Sequence, residues 1–352
     1  MTSALLVTRD DALRDDVLRL AAAAGVGVDV AHDTESALRT WGACTVLLVG
    51  ADQADLLAAR SPARRPHVHV VARATPADGL FRAAVALGAE DVVELPAAEG
   101  WLVELLADLS DGAPTAATTV GVVAGSGGAG ATTLACALAL TAAATQDTVL
   151  VDLDALGPGV ERVVGLDEAA GVGWADLAGS HGRFGSRSLR AALPGRDRLA
   201  ALGWGAGSTV ALGRPTVREV LVACQRGNQV VVLDLPRGAG DVCEEAVPRC
   251  DHVVVVAEPT LPSVASTARV TAALRPLNDH LWLVLRGDAG GVPPERVAGL
   301  LDVPLAVEMP RQRRLAEHVD LGLGPVHARR GPLARATREL LGVLAGGRAV
   351  VA

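Results

Sequence analysis

The chain has 352 residues, half of them hydrophobic, and a formal net charge of -8. That length accommodates two domains, each with a sizeable core. The acidic balance argues against nucleic-acid binding through the general surface, and no apolar run has the length of a membrane span.

Lys, Ile and Tyr are absent, so all 32 basic residues are Arg. The missing types have AT-rich codons, which points to a high-GC genome such as an actinobacterial one. The five cysteines, Cys44, Cys136, Cys224, Cys243 and Cys250, form no CxxC pair and are odd in number. Reduced, buried thiols of a cytoplasmic protein are therefore expected, not a disulfide or metal framework. The apolar run before Arg9, Asp10 and Asp11 is too short for a signal peptide.

In chain order, strands are predicted at Ala4–Thr8, Val28–Ala31, Val46–Val49, Val68–Ala72 and Asp91–Glu94, with helices between them, including Asp11–Ala24 and Pro76–Leu87. Such alternation predicts a parallel sheet covered on both faces. With Asp10 and Asp11 after the first strand and Gly88-Ala-Glu-Asp-Val-Val-Glu-Leu-Pro96 at the fifth, residues 1–109 resemble a response-regulator receiver domain, a flavodoxin-like fold. The resemblance implies an Asp ending the third strand, a hydroxyl after the fourth and a Lys before the final Pro. Those positions hold Gly50 (with Asp52 displaced), Ala72-Arg73-Ala74 and Leu95. The expectation is a degenerate receiver used as an interaction module, with Asp10 and Asp11 as a solvated turn and helix start. Residues 110–119, Ser-Asp-Gly-Ala-Pro-Thr-Ala-Ala-Thr-Thr, read as a linker.

Beyond it, strand Thr119–Ala124 leads into Gly125-Ser-Gly-Gly-Ala-Gly-Ala-Thr-Thr133 and a helix at Leu134–Ala144. Strand, glycine loop and helix form a phosphate-binding arrangement, because loop amides and the helix N-terminus point at an anion. Gly125, Gly127 and Gly130 also satisfy GxGxxG, and Asp152 ends the next strand. A dinucleotide-binding oxidoreductase is therefore one alternative.

Further elements follow in order: Thr148-Val-Leu-Val-Asp-Leu-Asp154, Val230-Val-Val-Leu-Asp-Leu-Pro-Arg-Gly238, Cys250-Asp-His-Val-Val-Val-Val-Ala-Glu-Pro-Thr-Leu-Pro-Ser-Val264 and Val303-Pro-Leu-Ala-Val-Glu-Met-Pro310. With the glycine loop, these make residues 120–352 similar to the MinD/ParA family of deviant P-loop ATPases. The receiver-like segment narrows the resemblance to CpaE/TadZ-like proteins, and among them to the actinobacterial CpaE-like septum site-determining proteins. Gly171-Val-Gly-Trp-Ala-Asp-Leu177 and Leu199-Ala-Ala-Leu-Gly-Trp204 fit the middle region of that group.

The resemblance implies ATP and Mg²⁺ as cofactors. It places Gly125, Ser126, Gly127, Gly128, Ala129, Gly130, Ala131, Thr132 and Thr133 around the phosphates, with Gly238 and Arg237 near the γ-phosphate. Thr132, Asp152 and Asp234 would serve the metal, and Asp154 and Asp234 catalysis. Two departures qualify this. The P-loop lysine is Ala131, and the lysine that reaches across a homodimer is Ser126. Phosphoryl transfer rests on positioning and charge stabilisation, so little or no hydrolysis is expected. A slow but genuine ATPase is the other alternative. Arg237 could replace a lysine in part, since its fork suits phosphate oxygens. Leu285 stands where the family carries an Asn that reads adenine.

The C-terminal run Arg329–Leu344 is a basic amphipathic helix candidate. It is expected to pack as the last helix of its domain, with peripheral membrane binding as the alternative. By resemblance the protein is a regulator of spatial positioning or assembly. Its partners would be proteins of the division or pilus/secretion machinery, with a homodimer as a further expectation and no specific nucleic acid.

Overall fold

The structure is a computed structural model that describes residues 4–110, 117–179, 184–205, 210–238, 240–287 and 291–347. The chain divides into two compact units, Met1–Pro114 and Thr115–Ala352. Most of the expected linker, residues 111–116, lies outside the described residues.

The first unit carries strands β1 (Ala4–Val7), β2 (Val28–Ala31), β3 (Val46–Gly50), β4 (Val68–Ala72) and β5 (Asp91–Glu94). All pair in parallel, in the order β2-β1-β3-β4-β5. Helices α1 (Asp11–Ala23), α2 (Thr34–Thr40), α3 (Ala51–Ala58), α4 (Asp78–Leu87) and α5 (Glu99–Ser110) complete the alternation. The central strands β1, β3 and β4 are buried throughout, as expected of a sheet covered on both faces. Leu48, Val71 and Leu102 fill one apolar layer, and Leu47, Val70 and Leu87 the other.

The second unit is a sheet of β6 (Thr118–Ala124), β7 (Thr148–Asp152), β8 (Gly195–Arg196), β9 (Leu199–Leu202), β10 (Val230–Leu235), β11 (His252–Ala257), β12 (Leu281–Arg286) and β13 (Leu305–Met309). Its order is β13-β12-β11-β6-β10-β7-β9-β8, and only the short β8 runs antiparallel, against β9. The helices are α6 (Ala131–Ala142), α7 (Val160–Val164), α8 (Trp174–Leu177), α9 (Ser186–Ala192), α10 (Arg214–Gly227), α11 (Asp241–Ala246), α12 (Leu261–Leu274), α13 (Pro294–Leu301), α14 (Leu315–Asp320) and α15 (Pro332–Gly347).

Two expectations are modified and a third is met. Helix α6 starts at Ala131, three residues before the expected Leu134, so Ala131, Thr132 and Thr133 form its first turn and not the loop. Gly130, at φ 95°, turns the chain into the helix there. The dinucleotide reading fails on topology. Such sites need the strand after the first helix beside the glycine-loop strand, whereas here β10 lies between β6 and β7. Finally, α15 buries Leu333, Ala336, Leu340 and Leu344 against the core around α6. Its apolar stripe is thus spent on packing, and among the described residues no helix is long and apolar enough to cross a membrane.

Candidate functional site

In the second unit, the carboxyl ends of β6, β10 and β12 meet at the glycine loop, and that of β7 lies on the far side of β10. Gly128 (φ 75°) and Gly130 (φ 95°) hold left-handed conformations that a β-carbon would strain. Gly127 and Gly128 are exposed, so that part of the loop is open to solvent. Gly125 serves packing instead, since a β-carbon there would collide with Thr267 of α12. At the start of α6 the amides of Ala131, Thr132 and Thr133 lack intrahelical acceptors and carry the positive end of the helix dipole. This is an anion cradle.

Beneath it lie the carboxylates. Asp234, the penultimate residue of β10, is 2% exposed and has the Thr132 hydroxyl beside it. Its Oδ2 has no protein partner. Burial, offset by Thr132 and reinforced by the charge of Asp154, pushes the Asp234 carboxyl up to about 7. Asp152, at the end of β7, is fully buried, and burial together with the Asp234 charge lifts it to about 8. Its two oxygens accept from the amides of Asp154 (3.0 Å) and Val160 (3.2 Å). Asp152 therefore shapes the loop that follows β7 and does not present a free carboxylate. Asp154 is half-buried and accepts from the Leu156 amide at 3.1 Å.

The tryptophans of the middle region support this edge. Trp174 is fully buried, lies 6.1 Å from Trp204 between ring centroids, and donates its indole N–H to the Asp152 carbonyl at 2.7 Å. All five cysteines are free and buried, and burial pushes Cys224 and Cys250 up to about 12.

The cations differ from expectation. Ser126 Oγ lies 2.8 Å from Ser263 Oγ in α12, inside its own chain. Ala131 is buried. Arg237 and Gly238 are exposed, and a β-carbon on Gly127 would sit 3.9 Å from Arg237 Nη1, so that guanidinium stands over the loop. Leu285 points into the core layer shared with Leu283. Its neighbour Arg286, on the α6 side by strand alternation, donates from Nη1 to the Gly128 carbonyl at 2.8 Å. Arg286, Arg311 and Arg314 then line a cleft of about 380 Å³ that also touches Gly130 and Thr133. Sequence reasoning named Leu285 and passed over Arg286. The cue available was that residues one apart on a strand face opposite ways.

The residues fit a metal–phosphate ligand in part. The orphaned Asp234 oxygen, the Thr132 hydroxyl and the open loop suit a hydrated Mg²⁺ and an anion. The charge that lysines supply elsewhere would have to come from arginine.

Fold and site together define an α/β protein with a receiver-like domain and a MinD/ParA-type P-loop domain. The description "Rv3660c-like, CheY-like N-terminal domain" matches residues 7–117. Rv3660c of Mycobacterium tuberculosis H37Rv is 37% identical over 342 residues, covering 95% of this chain and 96% of the relative. The chain belongs to the Rv3660c-like family. Among solved structures, a ParA family ATPase from Chlorobium tepidum matches with TM-score 0.58 at 14% identity, over 65% of this chain and 98% of the other. Aquifex aeolicus MinD matches with TM-score 0.55 at 17% identity, over 65% and 97%. Pyrococcus horikoshii MinD complexed with Mg-ADP matches with TM-score 0.53 at 21% identity, over 64% and 94%. These likenesses establish the fold of the second unit.

Proposed function

We propose that this protein is a nucleotide-responsive regulator of spatial positioning or assembly, acting in septum-site determination or in localising pilus or secretion machinery, with a degenerate ATP site of little turnover. One observation carries the reading. The Thr132 hydroxyl lies beside the buried Asp234, whose Oδ2 has no partner, below an open glycine loop, while positions 126 and 131 carry no cation. In this reading Mg·ATP binds weakly. Thr132 and Asp234 hold the hydrated metal, the α6 amides hold phosphate oxygens, and Arg286 and Arg237 supply positive charge. Binding orders the loops after β7 and β10 and changes the face offered to a protein partner, in proportion to the difference in affinity between the two states. A structure of Aquifex aeolicus MinD with MinC supports protein partners for this fold. The receiver-like unit is then an interaction module. The internal Ser126–Ser263 contact gives no support to lysine-like reach across a homodimer.

The test is calorimetry of the full chain with Mg·ATP, phosphate-release kinetics, and hydrogen exchange over residues 152–165 and 234–238. Weak heat, added protection and turnover far below that of a lysine-bearing relative are expected, and Ala131→Lys should tighten binding. Neither heat nor protection at millimolar Mg·ATP would leave a purely structural scaffold. Turnover at a typical family rate, lost in Thr132→Ala, would make the protein a genuine ATPase with arginine in place of lysine.

A further inference from the structure

The first unit holds a second group of ligand-type side chains, at the sheet edge opposite Asp10 and Asp52. His69 is the second residue of β4, and Asp91 opens the edge strand β5. They are direct partners in the parallel register, with Glu90 one residue before. We propose that His69, Glu90 and Asp91 bind a divalent transition-metal ion of the zinc class.

The buried histidine carries the argument. His69 is 0% exposed, and neither ring nitrogen makes a hydrogen bond within the protein. Two unpaired nitrogens in a core are costly, and native interiors seldom tolerate them. Trp101 of α5 packs edge-on against the ring, 5.3 Å between centroids. The carboxylates lie at the ring nitrogens: Nδ1 is 3.3 Å from Asp91 Oδ2, and Nε2 is 3.9 Å from Glu90 Oε2. One ligand atom from each of the three residues falls within 4.8 Å of the others. Ligands about 2.0–2.1 Å from a tetrahedral ion stand about 3.3–3.4 Å apart, which matches the nearer contact. A single ion takes only one ring nitrogen, here Nδ1 beside Asp91, so Glu90, which lies 3.9 Å from Nε2 and is 40% exposed, swings toward Nδ1 to complete the set.

Glu90 is already held beside the ring. The His67 amide donates to Glu90 Oε1 at 2.7 Å and leaves Oε2 toward His69. His67 itself takes a left-handed backbone, φ 60°. One imidazole with two carboxylates suits zinc, or cobalt as its probe, over magnesium or calcium, which prefer all-oxygen shells. Three protein ligands leave a coordination position for solvent. The competing arrangement is an imidazolium held between two carboxylates with no metal. An ion would also pin the edge strand β5 to β4, so binding stabilises this unit.

The experiment uses the full chain, stripped by a chelator and then titrated with Zn²⁺ by calorimetry and with Co²⁺ by visible absorption. One equivalent should bind with a dissociation constant of about 10 µM or tighter and raise the melting temperature of the first unit, while Mg²⁺ does neither. Glu90→Gln and Asp91→Asn alter half-exposed groups that the fold should tolerate. Each should weaken Zn²⁺ at least about tenfold with the metal-free circular dichroism unchanged. His69→Gln should abolish binding, and the two carboxylate variants decide the matter if that protein does not fold. Absence of heat and of a Co²⁺ band at about 100 µM metal, well above the expected constant, overturns the proposal in favour of the ion pair. Unchanged affinity in both carboxylate variants also overturns it and places the ion elsewhere, for instance at the His318–His327 pair, whose rings lie 5.2 Å apart.

Discussion

The chain carries two parallel sheets whose strand ends resemble phosphate-handling sites, and the two differ in how their polar groups are satisfied. In the first unit Asp10, Asp52 and Leu95 at that edge are spent on structure. Asp10 caps α1 by accepting from the Ala12 and Leu13 amides. Asp52, delivered from the first turn of α3, accepts from Thr8 Oγ1 at 2.7 Å, the Arg9 amide at 2.8 Å and Gln53 Nε2 at 3.0 Å. It overlies Gly50 where a side chain of that residue would stand. Leu95, at the lysine position, is buried in the core with Leu102 and Leu105. In the second unit the two lysine positions hold Ser126 and Ala131, yet Asp234 keeps a buried oxygen without a partner beside a hydroxyl and an open glycine loop. Satisfied hydrogen bonds mark a retired site. An unsatisfied buried carboxylate is a group that a bound ligand would satisfy.

The strongest test of that contrast is pH. Folded Asp152 and Asp234 hold protons up to about 8 and about 7, whereas in the unfolded chain they release them near the ordinary value of 3.8. Between those values the folded state binds more protons, so stability falls as pH rises through this window. The second unit should lose on the order of a few kcal/mol between pH 5 and 8. Asp234→Asn should flatten the slope, and Mg²⁺ should recover more stability at pH 8 than at pH 5. Calorimetric unfolding across pH measures all three, and a flat profile in the wild type would erase the distinction between the two edges.

The next effect belongs to the first unit. Gly50→Ala places a β-carbon against Asp52 Oδ1 and 2.7 Å from Thr8 Oγ1. It should cost about 1–3 kcal/mol in urea unfolding, and less in an Asp52→Ala background. Equal costs in the two backgrounds would show that Asp52 does not occupy the old acceptor position. The same arrangement predicts that acetyl phosphate leaves no phosphoryl group on the full chain, as read by intact mass.

Smaller effects rank the arginines. Arg286→Ala should weaken Mg·ATP roughly tenfold in calorimetry, and Arg237→Ala less, because Arg286 is already fastened to the loop at Gly128. The reverse order would restore Arg237 as the main substitute for lysine. Smallest of all, Ser126→Ala removes one hydroxyl contact with Ser263 and should cost about 0.5–1 kcal/mol of stability, with nucleotide affinity unchanged.

Much of this molecule was legible in its sequence. Buried parallel strands are short, nearly continuous Val/Leu runs, and such runs at Val46–Val49, Thr148–Val151 and Val230–Leu233 leave little freedom in reading them. The glycine loop, Thr132 and Asp234 were legible for the same reason: local backbone demands write themselves into residue type. Tertiary structure alone decided the rest. Strand order put β10 between β6 and β7, which separates Asp152 from the glycine loop and removes the dinucleotide reading. A half-turn of strand alternation made Arg286, and not Leu285, the residue that meets the loop. Asp152 and Asp234 look alike as strand-end carboxylates, but Asp152 spends both oxygens on its own loop while Asp234 keeps one unpaired. His69 is one alternating strand residue until β5 brings Asp91 opposite it. Strand pairing and hydrogen-bond satisfaction are properties of distant segments meeting, and they depend on a register that no local stretch of sequence encodes.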